Sequence, residues 1–379
     1  MKRLGYLLFA VVFYICRIFP IKENRFFLML THDPSKEGNI GAIRCYLEES
    51  QNQYEFVSLT REQEHFRGKD VIKRLFVFFF KKPYEMATSH YILMDNVFLP
   101  MAYMKFSKKV KVVQLWHGTG TIKKFGQHVN QGTLGQLEKK ANQCITHLIV
   151  NGEDTKELYQ GCFGVTKDKV YVTGLPRTDL LFQEEKKEKA LKQFYQQFPQ
   201  YQDKKIILYA PTFRDSELEH PRIPFQGERL LEGLGEEYIL GLRLHPHVAN
   251  RLNQSVLSER VVNFSNYPDL NSLLFAADIL ITDYSSIIFE FCALQKPMIF
   301  YAYDLDEFSE NGRGFYHPYK EYVPGPVAEN EEELRECLRL KEFDKEKVNA
   351  FFHKSYAYED GGATKRVVDL LLEEKKHEG

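Results

Sequence analysis

The chain has 379 residues, 44% of them hydrophobic and 27% charged, with a formal net charge of −1. That length exceeds one comfortable core and predicts two domains, and the balanced charge excludes the global basic character of a nucleic-acid-binding protein. Cys16, Cys45, Cys144, Cys162, Cys292 and Cys337 include no C-x-x-C pair, which argues against a zinc site and for reduced, cytosolic thiols, with Cys144 and Cys292 buried in or beside apolar runs.

The first element is an uncharged apolar run over 4–16, flanked by Lys2, Arg3, Arg17, Lys22 and Arg25. As a helix it would span about 20 Å, short of the ~30 Å hydrocarbon core of a bilayer. Its exit, Arg17-Ile18-Phe19-Pro20, lacks the small residues of a signal-peptide cleavage site. It reads as an interfacial helix lying in the inner leaflet; a buried helix with basic ends is the other reading. A second stretch over 71–82 mixes Lys73, Arg74, Lys81 and Lys82 with Phe76, Phe78, Phe79 and Phe80, a composition that suits anionic lipid headgroups. Together the two predict a peripheral protein on the cytoplasmic side of the cell membrane.

Short apolar runs predict strands over 26–30, 54–59, 91–94, 110–115, 146–150 and 170–173, with helical patterns over 40–49, 134–143 and 155–159 between them. This alternation is that of a parallel, doubly wound sheet. Asn151-Gly152-Glu153-Asp154 reads as a strand exit followed by a helix N-cap. Residues 183–202 are charged, aromatic and helical in pattern, and are expected to bridge two domains. The same grammar restarts with strands over 205–209, 238–244, 261–264, 279–282 and 298–301 and a helix over 286–294. The expected organisation is therefore α/β: an interfacial segment over 1–20, a Rossmann-like domain over 21–195 and a second over 196–379, their parallel sheets facing a central cleft. Neither G-x-G-x-x-G nor a P-loop occurs, which removes support for NAD- and ATP-type sites.

Chemistry collects where strands end. Leu115-Trp116-His117-Gly118-Thr119-Gly120 carries the one tryptophan of the chain. Four further clusters follow: Gly174-Leu175-Pro176-Arg177-Thr178-Asp179, Ala210-Pro211-Thr212-Phe213-Arg214-Asp215, Arg243-Leu244-His245-Pro246-His247 and Thr282-Asp283-Tyr284-Ser285-Ser286. All but the last set a hydrogen-bonding or cationic side chain beside a Gly or Pro that lets backbone approach a ligand, and all lie at the sheet edge where α/β proteins bind ligands.

In this order, from Val110 to Phe300 with a weaker echo at Asp360-Gly361-Gly362-Ala363, the combination of W-H-G-T, P-T-F-R, R-x-H-P and T-D-Y-S-S resembles the CDP-glycerol glycerophosphotransferase family of teichoic acid biosynthesis. The resemblance implies a GT-B fold and transfer of glycerol phosphate from CDP-glycerol to a lipid-linked acceptor, a polyprenyl-diphosphate disaccharide or a short glycerol-phosphate chain, with release of CMP. The first domain would then serve the acceptor and the second the CDP donor. His117 would be the base for the attacking hydroxyl, because imidazole titrates near neutrality. His245 and Arg243 would stabilise the departing CMP, and Ser285 and Ser286 would present backbone N–H groups to phosphate. Arg177 would reach the pyrophosphate or the acceptor phosphate. Pro211 and Thr212 would edge the cytosine, and Glu290 would accept ribose hydroxyls where the family usually carries aspartate.

Gly118, Thr119 and Gly120 would bring the loop close to substrate, with Trp116 packed beneath it. Asp283 reads as structural, with Asp215 supporting Arg214 locally; no metal and no cofactor are expected. Lys123, Lys124, Lys139 and Lys140 read as a solvated helix face, and His247 as either a surface histidine or a second site imidazole. CDP-ribitol as donor, a nucleotide-sugar glycosyltransferase on the same fold, and a non-catalytic membrane scaffold stay open as alternatives, as does homo-oligomerisation. A single GT-B unit without a large extra domain favours a primase or short-chain transferase over a long-chain polymerase.

Overall fold

The computed structural model describes residues 2–64, 66, 70–214 and 223–373, with the side chains of residues 246, 247, 254, 311 and 373 outside the description. By packing, the chain divides into two units: Met1–Thr119 with Phe125–Phe182 and Ser355–Gly379, and Gly120–Lys124 with Gln183–Lys354.

In the first unit β1 (Lys22–Leu30), β2 (Glu55–Thr60), β3 (Ser89–Met94), β4 (Lys111–Gln114), β5 (His147–Val150) and β6 (Val170–Val172) form a parallel sheet in the order β2-β1-β3-β4-β5-β6. In the second unit β7 (Lys205–Tyr209), β8 (Tyr238–Leu242), β9 (Val261–Asn263), β10 (Ala277–Thr282), β11 (Met298–Tyr301) and β12 (Val327–Ala328) form another, in the order β12-β11-β10-β7-β8-β9. Every expected strand forms, and β12 is the addition, too short at two residues to leave a periodic signal. β4, β5, β8 and β11 are buried along their whole length, which is why their apolar residues run together rather than alternate. Each sheet reverses its strand order once, between β1 and β3 and between β7 and β10. Such switch points open crevices at the carboxyl ends of the strands.

One face of the first sheet is covered by the Asn39–Glu48 helix through Ile40, Ile43 and Leu47. It is also covered by the Ala363–Glu373 helix through Val367, Val368 and Leu371. The end of the described chain thus packs in the first unit, a return that a single boundary after residue 195 does not include. Specific groups hold it there. The Asp179 carboxylate accepts from the backbone N–H groups of Ala363 at 2.7 Å and Thr364 at 2.8 Å, and Lys111 Nζ donates to the Leu371 carbonyl at 2.9 Å. Asp179 therefore caps a helix nearly two hundred residues away in the chain, with its charge at the positive end of the helix dipole. Asp179→Ala is expected to lower the unfolding free energy by about 1–2 kcal/mol, read as a drop in the denaturant midpoint; an unchanged midpoint would exclude the cap.

The Glu184–Gln197 helix, expected as a bridge, instead packs inside the second unit. Phe194 is fully buried against Phe264 and Tyr267, with ring centroids 5.6 and 5.4 Å away.

The two basic-aromatic stretches meet in the first unit. The Lys2–Cys16 helix buries Phe9, Ala10, Phe13 and Cys16, and Phe9 packs on Phe78 at 5.3 Å. Phe78 lies in a single π-helical turn, Val77–Lys81, between the Val71–Phe76 and Lys82–Ala87 helices. The opposite faces stay bare: Leu4 is 72% exposed, Ile18 77%, Ile72 80% and Phe76 61%, joined by Val11, Ile15 and Phe80. Lys82 departs from its expected place on this surface; it is buried and paired with Glu85 at 2.7 Å. Among the described residues no helix is long and apolar enough to cross a membrane.

Candidate active site

In the first unit, three strand exits converge at the switch point. The segment after β1 contributes Thr31, His32 and Asp33; β3 is followed by Asp95, and β4 leads to Trp116 and His117. Asp95 organises the group. Its carboxylate accepts from the backbone N–H groups of Thr31, His32 and Asp33 at 3.2, 3.0 and 3.0 Å. Its own carbonyl sits 2.9 Å from His117 Nδ1. A carbonyl only accepts, so Nδ1 carries the hydrogen and the lone pair of the neutral ring lies on Nε2. Burial, assisted by the neighbouring His32, pushes the His117 imidazolium down to about 4, against the pull of the Asp95 carbonyl. His117 is therefore neutral at physiological pH and equipped to accept a proton at Nε2.

The loop carrying His117 is held by groups far apart in sequence. Trp116 adopts a left-handed backbone conformation, φ 54°, which costs a non-glycine residue of order 1–3 kcal/mol. The buried amide of Asn39 offsets this strain by donating to the carbonyls of Leu115 and Trp116 at 3.2 and 3.1 Å, while Trp116 N–H donates to Gln114 Oε1 at 2.9 Å. Asn39 Oδ1 also accepts from the Arg177 backbone N–H at 3.0 Å, and Arg177 Nη1 donates to the His117 carbonyl at 2.7 Å. Arg177, expected as a phosphate ligand, thus anchors the His117 loop. Tyr159 Oη donates to the Gly118 carbonyl at 3.0 Å, and Thr119 is fully buried. Trp116 packs beneath the loop as expected, on Phe125 at 5.1 Å and Phe163 at 5.2 Å.

Gly120 has a packing reason in place of the expected substrate approach: a Cβ there would lie 2.4 Å from the Phe289 ring. Lys123 is not on a helix. The Gly120–Lys124 segment pairs with the strap around Phe315, through Lys124 N–H to the Gly314 carbonyl at 3.0 Å and Tyr316 N–H to the Ile122 carbonyl at 3.2 Å. Burial pushes the Lys123 ammonium down to about 8 against the attraction of Asp283. Lys139 and Lys140 do lie on an exposed helix face, within Gly132–Asn142.

In the second unit the exits of β7, β8 and β10 meet at the other switch point. Pro211, Thr212 and His245 line one pocket with Tyr209, Phe213 and Tyr303. His245 is exposed and rests its ring on Phe213 at 4.5 Å. The Thr212 backbone N–H donates to Asp283 Oδ1 at 2.7 Å, tying this pocket to the β10 exit. Thr212 Oγ1 is buried without a hydrogen-bond partner, an arrangement that costs about 1–3 kcal/mol and that a bound polar ligand would relieve. Ser285 and Ser286 are half-buried at the start of the Ile287–Cys292 helix, whose Glu290 is buried.

Asp283 is structural, as expected: it also accepts from Arg214 Nη1 at 2.5 Å and from Tyr284 N–H at 2.6 Å. Asp215 lies outside the described residues, and Arg214 is held by Asp304, whose carboxylate takes Nε and Nη2 at 2.9 Å each. Arg243 is a correction. Its Nη1 donates to the carbonyls of Phe264, Ser265 and Tyr267 at 3.1, 2.8 and 2.5 Å, stapling the β8 exit to the turn after β9. The His247 side chain lies outside the described residues. Among the described residues no group of three or more His, Cys, Asp or Glu side chains is placed to hold a metal ion.

The sequence reading missed His32, Asn39 and Asp95. His32 and Asp95 follow strands at the same carboxyl edge that flagged His117, so the strand-exit signal was present; Asn39 sits inside a helix and carried none.

Comparison with known proteins agrees with this geometry. Residues 11–373 match the family described as CDP-Glycerol:Poly(glycerophosphate) glycerophosphotransferase. The teichoic acid glycerol-phosphate primase of Bacillus subtilis is 32% identical over 379 residues, covering 97% of this chain and 96% of that protein. The teichoic acid poly(ribitol-phosphate) polymerase of Bacillus spizizenii is 33% identical over 378 residues, covering 98% of this chain; the chain spans 60% of that relative's length. A structure of the wall teichoic acid polymerase TagF superimposes with a TM-score of 0.81 at 21% identity, covering 99% of this chain and 94% of that one, and fixes the fold as GT-B-like. From the match over nearly its whole length, this chain belongs to the CDP-glycerol:poly(glycerophosphate) glycerophosphotransferase family.

Proposed function

We propose that this protein transfers glycerol phosphate from CDP-glycerol to a lipid-linked acceptor, a polyprenyl-diphosphate disaccharide or a short glycerol-phosphate chain, and releases CMP in wall teichoic acid synthesis. The observation that carries the reading is the fixed tautomer of His117, with Nδ1 on the Asp95 carbonyl and Nε2 left as the acceptor. In the reaction the acceptor hydroxyl oxygen bonds to the β-phosphorus of the donor, its proton passes to His117 Nε2, and the bond from that phosphorus to the CMP oxygen breaks. His245 and the N–H groups beside Ser285 and Ser286 would take up the charge on the departing CMP. Pro211 and Thr212 would edge the cytosine, with the orphan Thr212 hydroxyl finding its partner there, and Glu290 would meet the ribose. Gly118 and Thr119 would border the acceptor side through their backbone, the Thr119 side chain being buried.

CDP-ribitol is the second reading, because ribitol- and glycerol-phosphate relatives are equally similar to this chain. Purified protein is incubated with CDP-glycerol, CDP-ribitol and UDP-sugars beside a lipid-linked disaccharide, and nucleotide release and product mass are followed. CMP release with a glycerol-phosphate mass increment is expected. A ribitol-phosphate increment would give the second reading, UDP release would make the protein a sugar transferase, and no release with any donor would leave a scaffold.

The bare apolar face of Leu4, Val11, Ile15, Ile72 and Phe76, with Lys2, Arg3, Arg17, Lys73 and Arg74 in the same segments, supports peripheral attachment to an anionic membrane on its cytoplasmic side. Changing Leu4, Ile15, Ile72 and Phe76 together to Glu is expected to abolish co-sedimentation with anionic vesicles while leaving the far-ultraviolet spectrum unchanged. Equal binding by the variant would overturn the anchor.

A further inference from the structure

The His117 ring is enclosed on both faces. On one side the Trp116 ring lies 3.9 Å away, centroid to centroid, at 30°; on the other the His32 ring lies 3.7 Å away at 18°. Its Nδ1 edge is closed by the Asp95 carbonyl. The same Asp95 fixes the far wall of this enclosure, since its carboxylate accepts the His32 backbone N–H at 3.0 Å. Three sides of the imidazole are thus defined by packing and one, at Nε2, is left for a proton. A base must hold its lone pair along the hydroxyl it deprotonates, and an error of about 1 Å can lower the rate by about 10²-fold. Without a ring on the second face, His117 could pivot about its Nδ1 contact.

We propose that His32 is a positioning residue for His117: it completes a three-ring clamp with Trp116 that aims the Nε2 lone pair. The proposal rests on His117 being the base of the transfer. His32 acts as a flat, uncharged wall, and its surroundings suit that role. Asp33 and Asp95 face it with negative charge and Arg61 and Arg177 with positive charge, with His117 on its ring face. Burial leads in holding its imidazolium below the ordinary histidine range. A neutral aromatic face also tolerates the cation that forms on His117 when the hydroxyl is deprotonated, as any π-face does. A charged ring 3.7 Å away would oppose it.

Flatness and neutrality, rather than proton transfer, make a definite pattern in variants. His32→Ala removes the wall; His32→Phe restores a neutral ring. Full-length protein labelled at histidine is followed by NMR at the His117 Cε1–H, and transfer is measured with CDP-glycerol. In His32→Ala the His117 resonance is expected to move toward the position of an unstacked imidazole and kcat to fall by about 10–100-fold, with KM for the donor little changed. In His32→Phe the resonance stays shifted and most of kcat returns. An unmoved His117 resonance in His32→Ala overturns the clamp even in a preparation with no measurable transfer. A Phe variant as slow as the Ala variant overturns it too, because the imidazole nitrogens would then be what matters. Full transfer by His117→Ala would instead remove the base assignment while leaving the spectroscopic result standing.

Discussion

Replacing His117 with alanine is expected to lower transfer by about 10²–10⁴-fold, the contribution of a positioned general base, with the fold retained. Retention follows from the geometry. The loop is held by its backbone, through Asn39, Gln114, Arg177 and Tyr159, and the imidazole carries none of those bonds. The pH profile gives a second handle. A histidine held at about 4 keeps its lone pair at every pH above that value and loses it as pH falls through it. The acid limb of kcat/KM, which reports the free enzyme, should therefore lie well below the ordinary histidine value of about 6.5. Full activity in the alanine variant, or an acid limb near 6.5, would show that the proton goes elsewhere.

Arg214→Ala is expected to have the largest effect on stability, about 3–5 kcal/mol, because it strands two carboxylates that a single guanidinium neutralises. Asp283 is 1% exposed. Arg214 ties it at 2.5 Å and Asp304 through two bonds at 2.9 Å, and Tyr284 Oη donates to Asp304 at 2.9 Å. Lysine cannot replace this fork, so Arg214→Lys should recover little. The linkage has a definite sign. Burial raises the Asp304 carboxyl, but hydrogen bonds and charge from Arg214 outweigh it and hold the group below its ordinary value. A depressed carboxyl stabilises the fold above its unfolded pKa of about 3.9 and ceases to do so as pH falls through the folded value. Chemical denaturation from pH 7 down to pH 3 should show the parent losing this contribution and the variant, lacking it already, falling less. A midpoint within experimental error of the parent would mean the network is not stabilising. Because the same network holds the Thr212 N–H and the β10 exit, donor affinity should fall with it.

The strand pattern was legible in the sequence because both sheets are parallel and most of their strands are largely buried, so apolar residues run together between polar loops. Candidates for the site could be picked out where chemistry is written in residue type at a strand exit, as at His117, Thr212 and His245, which follow β4, β7 and β8. Less could be read where residue type is ambiguous about direction. Arg243 and Arg177 are cations at strand exits, but a guanidinium donates to backbone carbonyls as readily as to phosphate, and only the fold shows Arg243 donating to three carbonyls and Arg177 to one. Lys123 looked like one of several surface lysines because nothing local announces that residues 120–124 pair with the strap around Phe315. His32 had the right signal but lacked a glycine or proline beside it. The Asp179 cap on residues 363 and 364 is invisible to any local pattern.

That cap sets an order of assembly. A ribosome delivers β1 to β6 first and residues 183–354 of the second unit next; the Ala363–Glu373 helix, which closes the face of the first sheet over Phe26, Leu28 and Val113, emerges only afterwards. During synthesis the first sheet waits with that apolar face open, although domains ordinarily fold from the N-terminus as they appear. Nascent chains arrested before residue 363 should therefore expose the first unit to proteases and chaperones while the second is already compact. A stop just before residue 363 would disable the unit whose strands are made first.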